Sequence, residues 1–165
     1  MESKKVSETS VTMSQIMQPE DANVAGNVHG GTIMKLIDSA AGVVAVRHCR
    51  SNAVTASVDR VDFHNPAYIG DLLIIKASMN MVGTTSMEIG VRVEAERLLK
   101  GDRFHIASAY LTYVSLDENM KPKSVEQLIL ETESEKRRNQ EALVRRKMRL
   151  DEKKREKEYQ DNSKD

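Results

Sequence analysis

Cysteine is nearly absent from this 165-residue sequence. Cys49 is the only one, so no intrachain disulfide can form. No uncharged apolar run reaches the roughly 18 residues of a membrane-spanning helix, and the N-terminal residues lack the long apolar core of a secretory signal peptide. These absences predict a protein of the reducing cytoplasm that does not enter a membrane. The four histidines are scattered without a ligand spacing such as His-Glu-x-x-His, so we expect no metal site.

An excess of charge of either sign is also missing, because 25 Lys and Arg residues balance 25 Asp and Glu residues. A balanced chain does not favour nucleic acid as its main partner. The length fits one domain with a tail. We predict a flexible N-terminus over residues 1–10, a domain over 11–125 and a charged, mostly helical tail over 126–165.

The tail carries a helix start signal at residues 132–135, followed by interleaved charges of both signs. This pattern favours a helix that is largely solvated. Within it, the basic run 145–147 is either one more solvated stretch or a source of positive charge for a phosphate group.

The period of the apolar pattern changes near residue 50. Between residues 32 and 48, apolar side chains cover most of a helical circumference, which predicts a helix buried on nearly all sides. Further on, apolar and polar residues alternate as in strands. The predicted strands are an edge strand at 11–17 and four longer ones at 53–63, 71–81, 86–98 and 104–116. We therefore expect an α+β domain in which an antiparallel sheet wraps the helix.

A loop rich in Pro, Asx and Gly over residues 18–31 leads into this helix and ends at Gly30 and Gly31. Free backbone N–H groups and the positive end of the helix dipole make such a position suitable for an anion. Amides fixed there would stabilise an oxyanion formed on an attacked carbonyl, typically by about 3–4 kcal/mol per donor. The alternative is an ordinary turn at the start of a helix.

Three polar side chains lie close to this helix start. Asp38 is in the most apolar segment, where an unpaired carboxylate is costly, so it is a candidate general base or nucleophile, or an acid hydrogen-bonded to a loop. Asn27 could orient a water or polarise a carbonyl, or serve only in the turn. His29 could act as an acid or base, contact a substrate or have a structural role, and no serine or acidic partner is placed to complete a triad.

The run from Pro19 to Asp38, PEDANVAGNVHGGTIMKLID, resembles the cytosolic, or brain-type, acyl-CoA hydrolase family of hotdog-fold thioesterases. Further similarity lies in VTASVD at 54–59, DF at 62–63, TTSMEI at 84–89 and RRKMRL at 145–150. The resemblance spans residues 11–150.

This resemblance implies a hotdog fold and hydrolysis of medium- or long-chain fatty acyl-CoA, with the CoA thioester as substrate and no cofactor. In the family, two domains pair with the active site between them. Here this implies a homodimer, assembled further as a trimer of dimers into a hexamer, in which Asn27 and Asp38 of one site come from different protomers. The segments that contact CoA map onto Thr55, Ala56, Ser57, Thr84, Thr85, Ser86 and Arg146, and His29 is added as a substrate-lining residue.

Two routes stay open for Asp38, which either activates water as a general base or attacks the thioester to give a mixed anhydride. Two other functions compete with hydrolysis. Hydration or dehydration of an acyl thioester needs an acid–base pair such as Asp and His, and the spacing of His29 and Asp38 fits that pattern poorly. A non-catalytic acyl-CoA-binding protein would need neither Asn27 nor Asp38. The sequence leaves the preferred acyl length open.

Overall fold

The computed structural model of the chain describes residues 3–162, with side chains described as far as residue 160. Residues 1–2 of the predicted N-terminus and 163–165 of the predicted tail lie outside the described residues. The elements in chain order are β1 (Lys4–Lys5), α1 (Val6–Thr9), β2 (Val11–Ile16), a 3-10 turn (Pro19–Asp21), α2 (Gly30–Cys49), β3 (Asn52–Phe63), β4 (Leu72–Val82), β5 (Ser86–Arg97), β6 (Asp102–Leu116), β7 (Leu128–Ile129) and α3 (Glu133–Asn162).

Five strands form one antiparallel sheet in the order β2-β4-β5-β6-β3. The long helix α2 contacts all five strands, so the sheet curves around it. The core between the two layers is built from buried side chains that include Ile37, Ala41, Val44, Ile75, Ile89 and Leu111. The predicted α+β architecture of an antiparallel sheet around a central helix is confirmed.

The observed bounds of α2 and of the five sheet strands differ from the predicted ones by one or two residues at most. The difference at the start of α2 has a local cause. The side chain of His29 accepts a hydrogen bond from the backbone N–H of Gly31, so both glycines belong to the first turn of the helix. A histidine N-cap is uncommon beside Ser, Thr, Asp or Asn, and the sequence pattern did not reveal it.

Burial of α2 on nearly all sides was a wrong prediction for the single chain. Met34 and Val46 are 42% and 46% exposed, and Asp38 is exposed as well. The helix buries one side against the sheet and leaves an apolar surface open on the other. An exposed apolar surface of this kind is typical of an interaction site.

Most of the segment predicted to be flexible has regular structure. β1 pairs with β7 in a short parallel ladder, and α1 buries Val6 and Thr9. The ammonium group of Lys4 donates to the carbonyl oxygens of Arg47 and His48 at the end of α2. Backbone pairing and one lysine therefore hold this polar segment, and neither produces an apolar period in the sequence.

The tail helix α3 packs its first half on the sheet face away from α2, because it contacts residues that alternate with the core positions of β4 and β5. Arg138 donates to Ser78, and Asn139 donates to the carbonyl of Asn80. Ala142 is fully buried. Residues 151–160 are exposed throughout, and most residues of the first half are exposed as well. The prediction of a largely solvated helix therefore holds, except on the side of the first half that faces the sheet.

No helix within residues 3–162 combines the length and apolar character needed to span a membrane.

Candidate active site

Asp38 projects from the exposed side of α2, and two hydroxyl groups hold its carboxylate oxygen Oδ1. Thr55 donates to Oδ1 over 2.7 Å. The Tyr113 hydroxyl lies 2.7 Å from Oδ1 and 2.8 Å from the Asp38 carbonyl oxygen, so its one proton can bond either acceptor. Among the described residues, Oδ2 has no hydrogen-bond partner. The carboxylate is therefore fixed through one oxygen and open through the other.

The pKa of the Tyr113 hydroxyl is raised, which favours its role as a hydrogen-bond donor to Asp38. Burial raises the pKa of the hydroxyl, a hydrogen bond with Thr55 opposes the rise, and the nearby carboxylate of Asp38 adds to it. The hydroxyl therefore keeps its proton at neutral pH and can continue to support Asp38.

The strand register explains how these groups meet. Thr55 and Tyr113 are direct partners in the antiparallel pair β3–β6, so their side chains lie on the same face of the sheet, towards α2. A β-bulge follows at Ala56. Gly42, one helical turn after Asp38, packs against the tyrosine, and a Cβ there would lie 3.5 Å from its hydroxyl oxygen.

A cavity of about 320 Å³ adjoins Asp38 between α2 and β3. Apart from Asp38, Lys35 and Thr55, its lining side chains are aliphatic. They are Met34, Ile37, Val58, Val61 and Leu111. A mostly apolar cavity with a few polar groups at one end is the usual form of a site for a small ligand with a hydrophobic part.

The loop before α2 is closed by backbone hydrogen bonds. Asn23 N–H donates to the carbonyl of Asn27 over 2.8 Å, and Oδ1 of Asn23 accepts from Ala25 N–H over 2.9 Å. Oδ1 of Asn27 is buried without a hydrogen-bond partner among the described residues. Both asparagines line a second cavity of about 370 Å³, together with Val28, Gly30, Ile33, Phe63, His64, Asn65, Pro66 and Ala67.

Asn27 and Asp38 are not brought together within one chain. They line different cavities, and Gly30 and Asp38 are separated by about 12 Å along the helix at 1.5 Å per residue. One protomer therefore contains the two halves of the predicted site at separate places.

The two helix-start amides differ in their availability. Gly31 N–H donates to Nδ1 of His29 over 2.9 Å, so it is already in use. Gly30 N–H has no acceptor among the described residues. The bond also fixes the histidine tautomer, because an Nδ1 that accepts leaves the proton on Nε2. Only Gly30 offers a free amide here, and His29 has a structural role as N-cap.

The predicted CoA-contacting residues at 84–86 and Arg146 are close to each other. Carbonyl oxygens of the β4–β5 turn accept from the backbone N–H groups of Val125 and Ser115, which fixes the turn. A Cβ on Gly83 would lie 3.2 Å from Nη2 of Arg146 and 3.0 Å from Oγ of Ser86. The Arg146 guanidinium group therefore covers this turn, and no acceptor within residues 3–160 hydrogen-bonds it.

The remaining predicted CoA-contacting residues lie on the edge strand β3. Ser57 donates to Oδ1 of Asp59 over 2.7 Å, and Asp59 pairs with Arg149 of α3. Val54 and Ser86 both pair with Val114 of the strand between them, so residues 55–57 and 84–86 lie at the same end of the sheet.

Sequence reasoning missed two residues of this region, Tyr113 and Glu88. The side chain of Arg145, predicted as a phosphate ligand together with its neighbours, instead forms an ion pair with the fully buried Glu88. Tyr113 gave no local signal, because its contact with Asp38 depends on strand register. Glu88 gave no signal either, because other charged residues, such as Arg92 and Glu94, lie on the same strand.

A family model described as the thioesterase superfamily matches residues 25–101. The chain is 43% identical to the mouse protein named cytosolic acyl coenzyme A thioester hydrolase over 87% of its own length, but it spans only 38% of that relative. It is 40% identical to an uncharacterized acyl-CoA thioester hydrolase of Bacillus subtilis, over 81% of this chain and 78% of that one.

Solved structures agree with these relatives. An apo-hexameric acyl-CoA thioesterase superposes with a TM-score of 0.89 at 37% identity, covering 92% of this chain and 97% of that one. An acyl-CoA hydrolase from Staphylococcus aureus, in complex with butyryl coenzyme A, coenzyme A and coenzyme A disulfide, gives 0.85 at 36% identity, covering 94% and 97%. Alanine variants of an aspartate, an asparagine and a threonine of that enzyme are also similar. The chain belongs to the acyl-CoA thioester hydrolase family of the hotdog thioesterase superfamily, as the run from Pro19 to Asp38 predicted.

Proposed function

We propose that this protein hydrolyses fatty acyl-CoA, of medium or long chain, to a free fatty acid and CoA. The observation that carries the proposal is the state of Asp38, which lies beside an apolar cavity. Its Oδ1 is held by Thr55 and Tyr113, while its Oδ2 has no hydrogen-bond partner in the part of the chain that the structure describes. A carboxylate oriented in this way can act on a thioester whose acyl chain is buried next to it.

The reaction needs a new bond from oxygen to the acyl carbon, loss of the C–S bond and delivery of a proton to the departing thiolate. Asp38 either removes a proton from the attacking water or attacks the acyl carbon itself through Oδ2, with water then cleaving the anhydride. The same free oxygen serves both routes. Neither route requires a cofactor.

Gly30 is the amide that we assign to the thioester oxygen. It is the first residue of α2, where the helix dipole favours negative charge, and its N–H is free while that of Gly31 is not. A side-chain amide from the loop before α2 would be the second donor.

We infer that Asn23 supplies this second donor in preference to Asn27. In the Staphylococcus aureus variants, the replaced aspartate and threonine are 17 residues apart, and the asparagine precedes the aspartate by 15. Asp38 and Thr55 are also 17 apart, whereas Asn23 precedes Asp38 by 15 residues and Asn27 by 11. Oδ1 of Asn23 is engaged by Ala25, which leaves its NH₂ group free to donate to a carbonyl.

The loop that carries Asn23 and Asn27, here called the asparagine loop, is separated from Asp38 within one chain. This separation supports a site shared between two protomers. β3 is an edge strand of 12 residues with Val54, Val58 and Phe63 exposed, and such an edge is a template for pairing with another chain. Pairing at this edge would cover the exposed side of α2 and bring the asparagine loop of one protomer towards Asp38 of the other. A trimer of such dimers is the hexamer that we propose, in line with the hexameric neighbour.

We assign the CoA portion to Thr55, Ala56 and Ser57 on β3, to the turn 84–86, and to Arg146. The two segments are at one end of the sheet, and the Arg146 guanidinium group is free to bind a phosphate. The mammalian relatives are named cytosolic, and we propose the cytoplasm as the compartment of this protein too.

Thiol release from acyl-CoA of increasing chain length, from acetyl to palmitoyl, tests the function. We expect release by the wild type and a loss of more than about 1,000-fold in kcat for Asp38→Asn, with retained binding of CoA. Crotonyl-CoA serves as a control, because hydration without thiol release would identify a hydratase. CoA binding without turnover of any chain length would identify a binding protein.

Asn23→Ala and Asn27→Ala form a matched pair for the second donor. We expect Asn23→Ala to lower kcat by about 100-fold or more, since loss of one oxyanion donor has that effect. Asn27→Ala should stay within about fivefold of the wild type. The opposite order would return the role to Asn27.

A further inference from the structure

The sheet-facing side of α3 is built mainly from arginine rather than from aliphatic residues. Positions that recur at helical spacing face the sheet, and they are Arg138, Ala142, Arg145 and Arg149. Arginine stems cover apolar surface while their heads make polar contacts. This explains why the helix packs although its sequence reads as polar throughout.

Arg145 makes the most elaborate of these contacts. Its Nη2 donates to Oε1 of Glu88 over 2.7 Å, and its Nε lies 3.2 and 3.3 Å from the two carboxylate oxygens. Glu88 is fully buried, and Asn80 donates to the same Oε1 over 3.3 Å. The guanidinium carbon also lies 3.7 Å from the centre of the Tyr110 ring. The arginine head is therefore held in one orientation by a carboxylate and an aromatic face.

A buried ion pair is a weak source of stability, because removing two charges from water offsets most of their attraction, and apolar replacements are often neutral. What a forked guanidinium–carboxylate contact does provide is direction, since its two bonds fix the angle of the side chain. Arg149, one turn later, pairs with Asp59 at a second bulge within β3, between Val58 and Arg60. Together the two pairs set the rotation and the axial position of α3 on the sheet.

Arg146 lies between these two anchors and is turned by about 100° from Arg145 around the helix. It covers Gly83, where an added Cβ would lie 3.2 Å from Nη2 of Arg146 and 3.0 Å from Oγ of Ser86. Its guanidinium group has no carboxylate partner within residues 3–160, whereas Arg145 and Arg149 each pair with a carboxylate. The helix thus presents one unneutralised charge to a turn that the proposed function assigns to CoA.

We propose that the Arg145–Glu88 pair is a positioning contact that holds Arg146 over the turn 83–86 so that it can bind a phosphate of CoA, with Arg149–Asp59 as the second anchor. This inference rests on the proposed function. Arg145 touches no substrate in this account. It acts through the orientation of α3 alone.

The test uses the full chain and two ways of removing the anchor. Arg145→Met leaves Glu88 buried and unpaired, which can unfold the protein. The charge-neutral double variant Glu88→Gln/Arg145→Met avoids this and is checked for folding by circular dichroism. Arg137→Met is the matched control, because Arg137 is exposed on the same helix and, within residues 3–160, its ion pair is with Glu141 alone.

Two substrates with the same acyl chain, acyl-CoA and acyl-pantetheine, separate positioning from a general structural effect. We expect the double variant to raise KM for acyl-CoA about tenfold, the equivalent of one lost charged hydrogen bond. KM for acyl-pantetheine, which lacks every phosphate, should stay within twofold of the wild type. Arg137→Met should change neither value.

A mutant cycle with Arg146→Met completes the test. If Arg145 acts through Arg146, removing the anchor in the Arg146→Met background should give no further rise in KM for acyl-CoA. An undiminished effect in that background, or an equal loss for both substrates, would overturn the proposal.

Calorimetric binding of CoA to the same proteins separates this inference from the proposed function. Weaker CoA binding in the anchor variant than in the wild type supports positioning, whether or not the protein releases thiol. Absence of thiol release from the wild type would refute hydrolysis and leave the positioning inference standing. A wild type that does not bind CoA would overturn both.

Discussion

The hydroxyl of Thr55 and the carboxylate of Asp38, 17 positions apart in sequence, are joined by a hydrogen bond of 2.7 Å across the gap between β3 and α2. Tyr113 reaches the same carboxylate oxygen from β6. Two donors on one oxygen stop the carboxylate from rotating, so the other oxygen keeps one direction. That direction, rather than the mere presence of an acid, is what we expect the reaction to depend on.

Replacing either donor should therefore lower turnover more than binding. We expect Thr55→Val and Tyr113→Phe each to lower kcat about tenfold or more, because each removes one hydrogen bond to a charged group. The measurement is kcat and KM for thiol release. Tyr113 is not among the residues assigned to CoA, so KM of Tyr113→Phe should stay within about twofold of the wild type. A change confined to KM would contradict the role assigned to Tyr113.

His29 is expected to act as an N-cap rather than as an acid or a base. His29→Ala removes the acceptor of Gly31 N–H and should lower the free energy of unfolding by about 1 kcal/mol. His29→Asn keeps a side-chain acceptor and should retain most of the stability. Urea unfolding of the three proteins checks this. If His29→Asn folds as stably as the wild type but loses turnover 1,000-fold, the histidine has a chemical role that this account lacks.

His48 should make the fold sensitive to acid. Its ring is fully buried, Nε2 lies 2.9 Å from the carbonyl oxygen of Glu126, and Nδ1 has no partner among the described residues. Burial lowers the pKa of His48 from the ordinary 6.5, the Glu126 carbonyl opposes this, and the charge of Lys4 lowers it further.

The unfolded chain therefore takes up a proton near pH 6.5 that the folded chain accepts only at lower pH, so stability is lost as the pH falls below about 6.5. We expect the urea midpoint of the wild type to fall between about pH 7.5 and 5.5, and that of His48→Gln to fall less. Burial also lowers the pKa of His105, which contributes equally to both proteins, so the difference isolates His48. Parallel curves for the two proteins would exclude His48 as the cause.

Hydropathy period was sufficient to predict α2 and the five sheet strands, because each of them buries one face and the apolar spacing records it. It did not predict the short elements at residues 4–9 or the contact of the first half of α3 with the sheet. The short strand β1 is held by backbone pairing, and α3 packs through arginines whose partners, such as Glu88, are far away in sequence. Neither kind of contact leaves an apolar period.

The site was predictable in part for a similar reason. Gly30 and Asp38 lie within one continuous run, so their place at the start and on the side of α2 follows from helical geometry. Tyr113 could not be found, because its contact with Asp38 requires the β3–β6 register and the bulge at Ala56. Exposure of Asp38 in the single chain could not be predicted either. The sequence pattern of an apolar helix surface is the same whether that surface packs against the sheet or against another protomer.

Subunit complementation tests the shared site most directly. Asp38→Ala is mixed, by co-expression or by unfolding and refolding together, with the less active of Asn23→Ala and Asn27→Ala. In a twofold dimer, each mixed dimer carries one site with both wild-type residues, and half of randomly formed dimers are mixed. We expect thiol release to return to about a quarter of the wild-type rate. A mixture that forms mixed dimers but stays as inactive as its two components would contradict a site completed by Asp38 of one protomer and an asparagine of the other.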